Sequence, residues 1–218
     1  MVSPFRAWSW KGLIFGWLWV ISCADIDAQK PFLISWDLGD EEASQGAFHQ
    51  CRFYVGDFHF YLNDELVFSD STYHLVDLMG AASIEWPIIQ PVLFNTFTFR
   101  LGVDSITHEL GVMSGDLDPS LNMYWTWQSG YIDAKLEGNF IIDREKQIFE
   151  LHLGGYQFPF RADQEVIVRC PEIQSGYVFQ DVFGRDFFHQ LSVYPHYIMS
   201  PQKVAVQWME WIAKRMSR

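Results

Sequence analysis

The chain has 218 residues, of which 15 are basic and 27 acidic, for a formal net charge of −12. Such a surface repels phosphate backbones, which excludes nucleic acid as a partner, and it attracts cations or basic proteins. With 49% hydrophobic and 17% aromatic residues, the composition predicts one mainly β domain with a sizeable core.

Residues 1–28 read as an export leader, in which Arg6 and Lys11 form a basic start and Gly12 to Ser22 a short apolar core. Two exits fit. The box Val20-Ile21-Ser22-Cys23 matches a lipoprotein signal, with a leader of 1–22 and a lipidated Cys23; cleavage after Ala28 is the other. The second leaves a single domain over 29–218, and any membrane attachment is through that lipid anchor alone. No apolar run long enough to span a bilayer follows residue 30. Once Cys23 is lipidated or removed, Cys51 and Cys170 form an even pair. A disulfide between them suits an exported chain, and two buried thiols are the alternative.

Strands are predicted at 31–36, 51–62, 65–69, 73–78 and 94–101, with an acidic loop at 37–46 and a turn at Asn63-Asp64. Strict alternation across 51–62 places Arg52, Tyr54, Phe58 and Phe60 on one side, with Phe53 and Val55 opposite. The chain then enters a turn-rich loop holding Asp104, Asp116, Asp118 and Pro119. It resumes extended structure at Trp125 and Trp127, which share a face if the segment is a strand. Two large rings at that point read either as plain core or as a redox site.

Strands at 131–142 and 147–153 flank the polar tetrapeptide Asp143-Arg144-Glu145-Lys146 as a hairpin. In the second strand Phe149, Leu151 and Leu153 share one face, leaving Glu150 and His152 on the other. A further strand follows at 163–170, with weaker ones at 177–183 and 190–193. The convincing helix comes last, with Ser200 as cap, Pro201 in its first position, and Val204, Trp208, Trp211 and Ile212 at helical spacing. The whole pattern predicts an antiparallel two-sheet β-sandwich with a short C-terminal helix.

Familiar catalytic motifs are missing: there is no G-x-S-x-G, H-E-x-x-H, phosphate loop or C-x-x-C. The seven histidines are scattered. His74 and His152 interrupt apolar strands, where a neutral imidazole needs a partner. The acidic loop of Asp104, Asp116, Asp118 and Asn122 offers oxygen ligands for calcium without matching an EF-hand. A solvated turn built on Asp-Pro chemistry accounts for it equally well.

The runs LGVDS and SGDLDPSLNMYWTWQSGYIDAKLEG, then FELHLGGYQFPF and MSPQKVAVQW, resemble the MbnP-like family. This family is related to the copper-binding surface proteins MopE and CorA. YVGDFHFYLND and YHLVDL resemble its earlier strands, so the likeness covers most of the mature chain. The resemblance implies a non-catalytic copper-binding protein in the periplasm, or an outer-membrane or cell-surface lipoprotein. In that family a dihaem cytochrome c peroxidase-like partner converts a tryptophan to kynurenine, and histidines help bind Cu(I). Carried over by motif, His152 of the HLGG run is the first ligand candidate and His74 the second. Trp127 and Trp125 are the candidates for oxidation. His108 stands where the VDS-x-x-N pattern has asparagine and is an additional ligand candidate. A surface binding module with the Trp pair in its core, or a calcium-stabilised structural domain, is the rival expectation.

Overall fold

The computed structural model describes residues 31–39, 45–86, 94–170 and 176–217, so the leader, Cys23 and both candidate cleavage points lie outside the described residues. In chain order the first strands are β1 (Phe32–Trp36), β2 (Gly46–Leu62), β3 (Glu65–Asp70), β4 (His74–Asp77), β5 (Ser83–Trp86) and β6 (Thr96–Leu101). Helix α1 (Ser105–Leu110) and two short 3-10 turns lead to β7 (Tyr124–Thr126) and β8 (Gly130–Tyr131). Then come β9 (Ala134–Ile142), β10 (Glu145–Leu153), β11 (Gln164–Arg169), β12 (Gly176–Phe179), α2 (Arg185–Leu191), β13 (Tyr197–Ile198) and α3 (Lys203–Met216).

The architecture is mainly β, consistent with a sandwich, with a large sheet and a smaller one. β2 is the axis of the large sheet, pairing with β9, β6, β4 and β3, while β10 and β11 extend it outward. The small sheet runs β12-β1-β5. Strand pairing is antiparallel except at β1–β12 and β10–β13, which are parallel.

β2 does not alternate as its sequence suggests. Its register shifts between Phe48 and Gln50 and again between Gly56 and His59. At the second shift Asp57 takes φ 53°, the geometry of a bulge that inserts one residue and flips the faces beyond it. Phe53 and Val55 therefore share the main core with Phe58 and Phe60, and Tyr54 is left on the other side. Gly56 is required there, because a Cβ would run into the Tyr73 ring.

The main core is aromatic. Phe58 stacks on Phe60 and Phe99, and Trp36 stacks on Phe179 with ring planes 10° apart. α3 closes it with Trp208, whose ring meets Phe187, Tyr194 and Trp211.

Four local expectations are corrected. Residues 190–193 are not a strand: Phe183, Phe187 and Leu191 recur every four residues and bury together around α2. α3 starts at Lys203 with Gln202 as N-cap, so Ser200 and Pro201 precede it. The β9–β10 turn is only Asp143-Arg144, at φ 50° and 67°, a two-residue left-handed pair matching strand twist. Glu145 and Lys146 already belong to β10.

The fourth correction is the Cys51–Cys170 disulfide, which is not formed. Cys51 lies on β2 opposite Leu136 of β9, whereas Cys170 follows β11, with β6 between the two strands. Through β6 the register sets Arg169 beside Thr96 and Thr96 beside Tyr61, so Cys170 is level with the far end of β2. At ~3.3 Å per residue that end is roughly 30 Å from Cys51, far past the ~7 Å reach of a bridge. Burial pushes the Cys170 thiol up to about 11. Cys170 should resist iodoacetamide in the folded protein and react once the unreduced protein is denatured; continued protection after denaturation would show a bridge. Among the described residues, no helix is long and apolar enough to cross a membrane.

Candidate functional site

Between β6 and β9 the chain folds back over the outer face of β2. Val103, Leu117, Met123, Tyr131 and Ile132 bury Tyr54 in a second, smaller apolar cluster, with Trp125 packed at its edge. The sequence reading takes this segment as loop, yet it contains α1. Asp104 caps α1, accepting from the backbone N–H and hydroxyl of Thr107 and, at 2.5 Å, from the Tyr73 hydroxyl. Burial works against its charge, but these hydrogen bonds win and hold its carboxyl at about 2. An Asp before Ser-Ile-Thr is a readable cap signal.

His108 sits on α1 with its side chain fully buried, facing the equally buried Asp133. Its Nδ1 accepts from the Tyr131 backbone N–H at 3.1 Å, so in the neutral ring the proton lies on Nε2. Nε2 is 3.6 Å from Asp133 Oδ1, beyond hydrogen-bond reach, and like Asp133 Oδ2 it is buried without a partner; Oδ1 accepts from the Val103 N–H. Burial pushes the Asp133 carboxyl upward, partly offset by His108. The His108 ring stacks on Tyr156 at 4.7 Å. Glycines shape the cradle: a Cβ on Gly130 would collide with His108 Nδ1, and one on Gly102 would crowd Asp133. With its lone pair engaged by a backbone N–H, His108 is placed to organise the segment.

His74 is differently situated. Its Nε2 is likewise buried without a hydrogen-bond partner. Nε2 stands 3.9 Å from Asp70 Oδ2, and Nδ1 stands 3.8 Å from Asp116 Oδ2. Each carboxylate is already anchored, Asp70 by the Trp86 indole N–H and Asp116 by the Leu75 backbone N–H.

His152 lies on β10 opposite Lys135 of β9. Its Nε2 is 2.7 Å from Glu137 Oε1, with Lys135 Nζ 3.5 Å from the same oxygen. Glu137 loses some charge stability to burial, but His152 and Lys135 hold its carboxyl below the usual range. The three histidines thus each face their own carboxylates. Among the described residues, no group of three or more His, Cys, Asp or Glu stands as a ready metal cage. The acidic loop divides its oxygens between local roles, with Asp104 and Asp118 capping short helical turns and Asp116 holding Leu75.

The Trp pair does not share a face, because β7 ends at Thr126. Trp125 is half-buried, its indole N–H enclosed without a partner, whereas Trp127 stands on the following turn, 79% exposed.

The family model MbnP matches residues 26–186. Among solved structures, MbnP from Methylosinus trichosporium is similar at 14% identity and a TM-score of 0.44, over 66% of this chain and 72% of that one. No curated protein matches the chain.

Proposed function

The chain belongs to the MbnP family, and from that membership we propose that it is an exported, non-enzymatic protein that binds and hands on copper. The periplasm, or the outer face of the cell through a Cys23 lipid, is its place of work. The observation that carries the reading is His74, whose buried Nε2 lacks a partner while Asp70 and Asp116 flank the ring at 3.9 and 3.8 Å.

Imidazole with carboxylate is a donor set that copper accepts readily. The two carboxylates face different ring nitrogens, so either nitrogen offers one imidazole and one carboxylate, with solvent completing the shell. Such an incomplete set favours capture and release over permanent storage. His152 has its Nε2 committed to Glu137, so copper at that nitrogen must displace the carboxylate. When bound, copper supplies a Lewis-acidic, redox-active centre; the protein's own part is to present His74 beside two fixed carboxylates.

The second part of the proposal is oxidation of the exposed Trp127 by a dihaem cytochrome c peroxidase-like partner, with Trp125 the alternative target. Two molecules of hydrogen peroxide accept four electrons from the indole, giving N-formylkynurenine and two waters; hydrolysis then releases formate and leaves kynurenine.

Copper titration tests the ligand assignment. His74→Gln should weaken Cu(II) binding by about tenfold or more, that is at least ~1.4 kcal/mol, with the thermal midpoint of the metal-free protein unchanged. Loss of binding in His152→Gln but not His74→Gln would move the site to His152. Wild-type protein that takes up neither Cu(I) nor Cu(II) would overturn the proposal.

A further inference from the structure

Resting on the reading that a haem protein oxidises Trp127, we infer that α1, the turn around Trp127 and the turn around Phe158 form the docking face for that partner. The partner's own face is apolar and ringed by lysine or arginine.

Four exposed side chains on three stretches of chain motivate this. Ile106 and Leu110 on α1 are 73% and 70% exposed, Trp127 is 79% exposed, and Phe158 is 96% exposed. Large apolar side chains concentrated this way mark an interaction surface. The segments that carry them meet. Ser105 donates its hydroxyl hydrogen to the Tyr156 carbonyl at 2.9 Å, the His108 ring stacks on Tyr156, and Gly130 packs against both rings. Aromatic and aliphatic tips from three stretches of chain are thereby held on one scaffold.

Charge selects the occupant. Between Arg100 and Lys135 the sequence contains no lysine or arginine, while Glu109 and Asp116 are exposed and Asp104 and Asp118 half-buried. The nearest guanidinium beyond Phe160, Arg161, is tied to Asp163 through Nε at 2.6 Å and Nη2 at 2.9 Å. Asp104 lies in a pocket with Arg100 and Arg161 beside Ile106, so the acidic border is Glu109, Asp116 and Asp118. An apolar centre with that border is complementary to an apolar centre bordered by cations. An anionic lipid surface would be repelled by the same border. An electron-accepting haem whose edge opens on a basic face meets both requirements and brings the oxidant against Trp127, which lies within the patch.

The test reads kynurenine in protein made in the native host with its haem partner. Peptide mass at MYWTWQSGY should show the gain of two oxygens less one carbon monoxide. Leu110→Lys and Phe158→Ala should each cut that conversion at least tenfold, and Glu109→Lys should cut it most at low salt. Ile148→Lys, at another exposed apolar position on β10, should convert like wild type, and all four variants should keep the wild-type thermal midpoint. Conversion unchanged in the patch variants, or lost equally in Ile148→Lys, overturns the docking face. Absence of conversion in the wild type instead overturns the oxidation reading, and the docking face falls with it.

Discussion

His108→Leu should cost about 2–5 kcal/mol of folding stability, because it leaves two buried polar groups, the Tyr131 N–H and the Asp133 carboxyl, short of a partner at about 1–3 kcal/mol each. The change strands Asp133, whose side chain is fully enclosed, with the Val103 N–H as its donor. The pH dependence has a definite sign. Burial raises the Asp133 carboxyl, so the folded state holds a proton that the unfolded chain gives up. Stability is therefore greatest below the ordinary carboxylate value and is lost as pH rises through the raised one. Without His108 to offset the burial, that loss should deepen. Adding Asp133→Asn to the variant removes the charge while leaving an oxygen for Val103, and should recover part of the stability and flatten the pH profile. Urea titrations at several pH values would check this. An equal loss at every pH would show that packing, not charge, sets the cost.

Trp208→Ala should be comparably damaging, at about 3–5 kcal/mol for a buried large-to-small change. Trp208 is fully buried, meets Phe187, Tyr194 and Trp211, and donates its indole N–H to the Pro195 carbonyl at 3.2 Å. Its removal should detach α3 from the core, lowering the thermal midpoint by roughly 10 °C in a domain of this size. A fall of only a degree or two would mean that α3 is a dispensable cover.

What is legible in the chain divides along physical lines. Uninterrupted period-two strands such as β6, β10 and β11 are legible because local alternation and burial agree. β2 is legible as a strand but misleading as a face, since the Gly56–Asp57 bulge reverses its alternation and leaves no composition mark beyond a glycine. α1 and α2 are too short for periodicity to separate them from loop or strand. The candidate site is the least legible part. His74, His108 and His152 look alike in sequence, and only the folded chain tells them apart. One ring is clamped at Nδ1 by a backbone N–H with its Nε2 facing a single buried carboxylate, one is tied to Glu137, and one stands between two carboxylates; Nε2 is without a hydrogen bond in the first and the last. The Trp-x-Trp spacing suggested a shared face, but a strand ending at Thr126 places the two indoles in different surroundings.

The parallel pairing of β1 with β12 sets the tempo of folding. Leu33 lies beside Gly176 and Trp36 beside Phe179, so the small sheet, which β1 begins with β5, is completed only when nearly the last strand arrives. β2 likewise needs β9, far along the chain, before its first half is paired. Long-range closures of this kind are entropically costly before any contact compensates for them, and they put folding on the millisecond-to-second scale rather than the microsecond one. A chain emerging residue by residue can therefore form hairpins such as β2–β3 and β9–β10 early, but neither sheet is complete until nearly all of it has been made.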